Sequence, residues 1–297
     1  MPSAPTSSPP SATRPAAQRQ PLAGLTVLNL RAAEDAPALT EALRARGATV
    51  VERPAIAFVP PQSWQPFDAR LARLAPGEWI AFTSATALRW TLWRIADLAP
   101  QTEPQAAAGA LKPARIAAVG QGTARAVADA GLPVQLTPPE QFQAEGLRDA
   151  LLQILRPGEA VWLPRAEQGR EALAEGLERA GHPVCVTPVY RTVAAPGGLG
   201  PVAELLLRGG VDWIVFTSSS TVTHFLAMLP PEGRAHVERC RIACLGRVTA
   251  RTAEEAGLKV ALVPARQDLA GLVEALVVAH TAAADAATQA AREAAPR

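Results

Sequence analysis

Two pairs of short motifs hold most of the residues able to do chemistry. Phe82-Thr83-Ser84 and Phe216-Thr217-Ser218-Ser219-Ser220 each close an apolar run and open a helical stretch. A small hydroxyl side chain at such a junction caps the helix, and the free amides of the first turn attract anions. Both roles stand open for Thr83, Ser84, Thr217, Ser218 and Ser219. A second motif, Gly-x-x-Thr-Ala, recurs as Gly120, Thr123, Ala124 and as Gly246, Thr249, Ala250. Glycine permits a sharp turn after a strand, and threonine is expected to cap the helix and leave amides facing a cleft. No acidic residue completes a dinucleotide fingerprint around it, so the motif favours anion binding without a nucleotide.

Among single residues, Tyr190 is the chain's only tyrosine and lies in an extended, proline-flanked segment. A phenol there can hydrogen-bond to a leaving hydroxyl, act as a general acid, or simply pack against its neighbours. Arg31 and Arg165 follow equivalent apolar runs and can each grip a carboxylate through two parallel bonds, although surface salt bridges would account for them as well. Trp79 and Trp213, at strand starts, read as core or edge packing. Cys185, Cys240 and Cys244 form an odd set without a CxxC pair, which suits a reducing compartment. His182, His224, His236 and His280 lack metal-ligand spacing, so neither a metal nor another cofactor is expected.

Something must position these groups, and the chain does so by repeating itself. GLTVLNLRAAEDAPALTEALRARGATV from Gly24 resembles GEAVWLPRAEQGREALAEGLERAGHPV from Gly158, with Arg31 and Arg165 standing 134 positions apart, as do Gly47 and Gly181. WIAFTSATAL at Trp79 matches WIVFTSSSTV at Trp213 in the same register. After an indel, RIAAVGQGTARAVADAGLPV at Arg115 matches RIACLGRVTARTAEEAGLKV at Arg241, now 126 apart. The chain therefore contains two copies of one α/β unit.

In the first copy, strands are expected at 27–30, 50–53, 79–82, 116–119 and 134–136. In the second they are expected at 161–163, 184–186, 213–216, 242–245 and 260–263. Helices at 35–46 and 169–180 place Ala and Leu at spacings of three and four and end at Gly47 and Gly181. Strand then helix, repeated, predicts a mostly parallel sheet covered on both faces. PAIAFVPP from Pro54 and TPVYRTVAAP from Thr187 break that alternation and read as paired linkers between two lobes.

Composition narrows the classes. A chain of 297 residues with 48% hydrophobic and 19% charged residues can form two packed domains. Its 29 basic and 27 acidic residues are scattered, without the basic stripe that nucleic acid requires. No apolar run reaches the roughly 18 residues of a membrane span. The Pro-, Ser- and Ala-rich stretch 1–21 has no apolar centre and reads as a disordered tail, not a signal, which makes the expected location cytoplasmic. The Ala-rich end after His280 reads as a frayed helix or tail.

Taken in order, Arg31, Phe82-Thr83-Ser84, Gly120 with Thr123-Ala124, Leu163-Pro164-Arg165, Val189-Tyr190-Arg191-Thr192, Phe216-Thr217-Ser218 and Gly246 with Thr249-Ala250 resemble the uroporphyrinogen-III synthase family over roughly residues 25–278. The resemblance implies two flavodoxin-like lobes with parallel sheets, joined by a two-stranded β-ladder. One lobe is expected from 22–53 with 194–280 and the other from 61–185, with linker strands at 54–60 and 186–193 and tails at 1–21 and 281–297.

It further implies a cofactor-free monomeric hydro-lyase of tetrapyrrole biosynthesis. Its substrate would be hydroxymethylbilane, a linear polycarboxylate handed over by hydroxymethylbilane synthase. Water leaves, a spiro intermediate forms, and the macrocycle closes with ring D inverted. By similarity Tyr190 assists departure of the hydroxyl, Thr123 and Thr249 are cleft threonines, and Arg31, Thr83, Ser84, Gly120, Ala124, Arg165, Thr217, Ser218, Ser219 and Gly246 bind substrate. Two departures bear on Arg31 and Ser84: Leu30-Arg31-Ala32 replaces the family's Thr-Arg-Pro, and Ala85-Thr86 follows the first FTS where Pro-Asn is usual. Two other classes stand beside it: a two-lobed small-molecule binding module, which shares the duplicated lobes, and a flavin-binding oxidoreductase, suggested by the flavodoxin-like topology and the hydroxyl run from Thr217 to Thr221. The turn after the first strand, Leu30 to Ala33, is poor in the Gly, Ser and Thr that a flavin phosphate loop uses.

Overall fold

Apolar runs of four residues recur along the chain, and the central ones become strands buried on both faces. Every residue of Trp79–Phe82 and of Trp213–Phe216 is buried, which is how a parallel strand between two helical layers must look. The computed structural model describes residues 20–99, 107–138, 144–169, 171–230 and 232–294. The tail expected at the N-terminus lies, up to residue 19, outside the described residues, as do residues 295–297.

The first part of the chain forms β1 (Thr26–Asn29), α1 (Ala36–Arg44), β2 (Thr49–Glu52), β3 (Ile56–Val59), α2 (Gln65–Leu71), β4 (Trp79–Phe82), α3 (Ala85–Leu98), β5 (Arg115–Ala118) and α4 (Gln121–Asp129). Next come α5 (Ala144–Leu152), β6 (Val161–Ala166), α6 (Ala172–Arg179), β7 (Val184–Ala194), α7 (Pro201–Leu207), β8 (Trp213–Phe216) and α8 (Ser219–Met228). The chain ends with α9 (Gly233–Val237), β9 (Arg241–Cys244), α10 (Arg247–Glu255), β10 (Val260–Leu262) and α11 (Leu269–Ala294).

These strands make two five-stranded sheets, ordered β10-β9-β8-β1-β2 and β3-β7-β6-β4-β5. All pairings are parallel except β3 with β7, which is antiparallel. Strands from both sequence copies mix in each sheet: β1 and β2 join β8 to β10, while β4 and β5 join β6 and β7. The chain thus opens one lobe, builds the other, and returns. Each sheet buries an apolar cluster on each face; in the first lobe Phe216 and Phe225 anchor one cluster and Leu39, Trp213 and Leu272 the other. In the second lobe Phe67, Phe82 and Trp162 anchor one and Trp79, Leu147 and Leu163 the other.

The duplication is visible in detail. The Arg115 guanidinium stacks 4.5 Å from the centre of Trp79, and its counterpart Arg241 stacks 5.6 Å from Trp213. Gly47 and Gly181 follow α1 and α6 with φ of +95° and +86°, left-handed conformations that disfavour any side chain.

Two expectations need correction. Residues 134–136 do not form a full strand; Leu136 makes an isolated bridge to Ala117. Pro133 and Pro138 flank it and supply no N–H to a ladder, which keeps the segment short. The strand expected at 184–186 does not stop before the linker. It continues unbroken to Ala194, so the antiparallel ladder, from Ile56 with Ala194 to Val59 with Arg191, extends the second lobe's own sheet. Pro188 does not end β7: the strand takes up one extra residue, Val189, as a bulge between Pro188, which pairs with Arg165, and Tyr190, which pairs with Ala166.

β7 is held to the second core by a buried side-chain bond, the Trp162 indole N–H donating to Thr187 Oγ1 at 2.8 Å. Thr187→Val keeps the shape and strands that donor. We expect it to cost about 1–3 kcal/mol of unfolding free energy, measured by urea denaturation.

Candidate active site

Strand β7 brings the site together because it changes partners in the middle of its length. Tyr190 is its last residue in register with β6, opposite Ala166, and Arg191 is its first beside β3. At that handover the phenol ring is buried and meets Phe58 edge to face, with ring centres 5.2 Å apart. Burial pushes the Tyr190 phenol above the ordinary tyrosine range, a hydrogen bond with Ser84 opposes the rise, and the nearby charges of Asp35 and Arg89 act in opposite senses. The hydroxyl therefore stays protonated as a donor.

A cavity of about 700 Å³ opens beside it. The second lobe contributes Thr83, Ser84, Arg165 and Gln168, and the first lobe contributes Ser218, Ser219, Ser220, Thr223 and His224. Thr192 of the ladder also reaches it. No Asp or Glu stands among the described lining residues. Arg165 is buried and pairs with Glu171, which itself is not part of the lining.

Helix starts supply much of this wall. Ser84 is extended and accepts from Ala87 N at 3.0 Å, capping α3. Ser218 does the same for α8, accepting from Thr221 N at 3.2 Å, while Thr221 reaches back to Ser218 N at 3.2 Å to complete a capping box. The two serines thus cap helices and face the cavity at once, so the two readings of these turns are not alternatives. Ser219 is tied to Thr252 at 2.7 Å, which braces α8 against α10.

Several expected site residues lie elsewhere. Arg31 does not line the cavity: its Nε donates to Asp35 O at 2.8 Å and its Nη2 lies 3.7 Å from the Asp35 carboxylate, so it stitches the turn before α1. Gly120 and Gly246 are themselves the extended N-caps of α4 and α10, with no side-chain cap bond, and Thr123 and Thr249 sit buried in the first turn instead of capping it. Neither threonine, nor Ala124, nor either glycine, reaches this cavity, although Val119 just before Gly120 does. On the other lobe Gln267 packs on Gly246, where an added Cβ would lie 2.6 Å from its amide oxygen. Thr217 is half-buried and is not part of the lining.

Gln168, Thr223 and His224 were not legible as site residues, whereas Ser220 and Thr192 stood in motifs already singled out but without a role of their own. Thr223 and His224 lie one turn beyond the serine run on the face shared with Ser220, so helical spacing from Ser219-Ser220 was the one available signal. Among the described residues no cluster of three or more His, Cys, Asp or Glu side chains is placed to hold a metal. The turn after β1 is closed by its own side chains, with Asn29 donating to Ala36 O and Thr40 Oγ1 and accepting from Arg31 N.

Paired parallel sheets whose helix starts line a shared polar cleft define a two-lobed α/β protein acting on a small molecule. A family model described as uroporphyrinogen-III synthase HemD matches residues 37–274. A uroporphyrinogen-III synthase from Synechococcus elongatus is 33% identical over 86% of this chain and 96% of its own length. The chain belongs to the uroporphyrinogen-III synthase family. A putative uroporphyrinogen-III synthase from Methanothermobacter thermautotrophicus is 37% identical over 55% of this chain and 66% of its own. In fold, the chain resembles a mutant uroporphyrinogen III synthase from Thermus thermophilus, with a TM-score of 0.56 at 23% identity over 84% of this chain and 96% of that one. The Helicobacter pylori enzyme gives 0.54 at 16% identity, with the same shares covered.

Because Tyr190 is the only tyrosine, its ionisation can be followed alone in the near-ultraviolet phenolate band. We expect half-titration above the free value of about 10. Its folded pKa exceeds the unfolded one, so its share of stability is complete below about 10 and disappears as pH rises through the folded value. A midpoint at or below the free value would contradict the burial described.

Proposed function

We propose that the chain closes hydroxymethylbilane to uroporphyrinogen III in the cavity beside Tyr190. The observation that carries this reading is a polar cleft between two lobes, rich in hydroxyls, holding a buried arginine and a protonated phenol and free of carboxylates in its described lining. A polyanion enters such a space without like-charge repulsion from the wall, and each charge-assisted hydrogen bond contributes about 1.5–3 kcal/mol.

The division of labour stems from the phenol's raised pKa. A tyrosine held neutral is a poor source of a complete proton and a good hydrogen-bond donor. Tyr190 O–H stabilises the departing hydroxyl while the C–O bond breaks and a pyrrole nitrogen supplies the electron pair, the N–H proton of that pyrrole completing the water that leaves. Ring closure is then a matter of geometry, since the wall must hold the chain curled so that its end attacks the substituted carbon of ring D. Thr83, Ser84, Arg165, Ser218 and Ser219 are the expected grips on the carboxylates. Arg31, Gly120, Thr123, Ala124, Thr217, Gly246 and Thr249 would contribute only after movement of the lobes or by holding the turns.

With this reading go several finer proposals: a monomer in the cytoplasm, hydroxymethylbilane supplied by its synthase, and lobes divided at 22–53 with 194–280 against 61–185, the ladder strands lying between. Among the described residues no helix is long and apolar enough to cross a membrane.

Supplied with enzymatically generated hydroxymethylbilane, the purified chain is expected to give the type III isomer, resolved by chromatography of the oxidised product; type I alone would refute the reading. Tyr190→Phe should lower kcat by about 10² to 10³-fold with little change in KM or in thermal midpoint, the loss typical of a positioned proton donor or a transition-state hydrogen bond. An unchanged kcat would remove the phenol from the reaction.

A further inference from the structure

The two sequence copies bring two related edges to the interlobe gap, and the structure has closed one and left the other open. At the closed edge, Arg89 on α3 of the second lobe reaches the turn after β1 of the first lobe. Its guanidinium lies 3.0 Å from Asp35 and 3.7 Å from Glu34. The register that relates Arg31 to Arg165 and Phe82 to Phe216 relates Glu34 to Gln168, Asp35 to Gly169, Arg89 to Thr223 and Trp90 to His224. At the second edge the same elements meet with the lobes exchanged, and those residues line the cavity. Both carboxylates and the bridging arginine of the first edge are absent from the second.

The substitutions are chemically coherent. Gly169 leaves room for the Arg165 guanidinium, since a Cβ there would come within 2.9 Å of Nη1. Across the gap, the His224 ring is fixed by Nδ1, which lies 2.8 Å from Ser220 O. A carbonyl oxygen only accepts, so Nδ1 carries hydrogen and Nε2 is the ring nitrogen left for a ligand; in the imidazolium form it donates. Thr223 Oγ1 donates to Ser220 O at 3.2 Å and lies 3.5 Å from the His224 Nδ1.

We propose that the edge formed by Arg165, Gln168, Gly169, Thr223 and His224 is a carboxylate subsite, freed of its own acids by divergence of the repeat, while the Glu34–Asp35–Arg89 edge is an interlobe strut that takes no part in binding. His224 is a substrate-binding residue on this view, and Gln168 sets specificity by being neutral. The assignment rests on the reading of an anionic tetrapyrrole substrate in this cleft.

Three variants of the full chain test it: Gln168→Glu, which installs the acid of the closed edge; His224→Ala; and Glu34→Gln, the reverse charge change on the closed edge. Steady-state kinetics and fluorescence titration with uroporphyrin III, a stable polycarboxylate macrocycle, are measured for each, with circular dichroism to verify folding. Gln168→Glu, by setting a like charge against the carboxylate, and His224→Ala, by removing one contact to it, should each raise KM and weaken uroporphyrin binding by about tenfold with kcat within about twofold. Glu34→Gln should leave both constants within about twofold. The proposal is overturned if Gln168→Glu and His224→Ala bind like the parent, or if Glu34→Gln changes binding as much as they do. A parent chain that yields only type I product would fail the functional reading, and the uroporphyrin titration would still decide the subsite.

Discussion

One strand with two sets of partners governs the architecture. β7 leaves its parallel pairing with β6 at Tyr190 and enters its antiparallel pairing with β3 at Arg191, without a break in the backbone. The second lobe's sheet and the connection to the first are therefore one hydrogen-bonded object. A flexible tether would let the lobes drift, whereas a continuous strand fixes where the cleft begins. The same junction buries the phenol, because a side chain at a change of partners is covered by Phe58 from the ladder and by the turn carrying Ser84.

Around that junction the usual geometry of open parallel sheets does the rest. Ligands meet such sheets beyond the carboxyl ends of the strands, where helix starts gather. Here Ser84 and Ser218 cap two helices, one from each lobe, and both serines line the cavity, so satisfying those amides also presents polar surface. A wall of hydroxyls and amides costs less to desolvate than a cluster of lysines and offers donors for several carboxylates at defined positions. That suits a reaction whose outcome depends on how a flexible substrate is curled.

Duplication explains both the symmetry of the fold and the asymmetry of the site. Equivalent strands, Trp–Arg stacks and serine caps persist in both halves. The polar groups between the lobes have diverged: ion pairs span one edge, and a cavity free of acids in its described lining occupies the other. Arg31 and Arg165 illustrate the difference, one absorbed into the turn it follows and the other buried at the cavity wall.

Residue types and self-similarity along the chain were enough to establish the repeat, the parallel α/β class, the linker pair, the family and the serine turns, because each is a local or internally repeated pattern. They also located Tyr190 in an extended segment. The continuity of β7 emerged only from the packed fold, since the strand absorbs Val189 as a bulge after Pro188 and keeps its pairing with β6, which no local pattern encodes. Packing likewise distinguished Arg31 from Arg165, and placed Thr123 and Thr249 inside helix turns away from the cavity. His224 and Gln168 became visible for the same reason: each acquires meaning from the surface opposite it, contributed by a distant part of the chain, and the distance between two lobes is not written in either one.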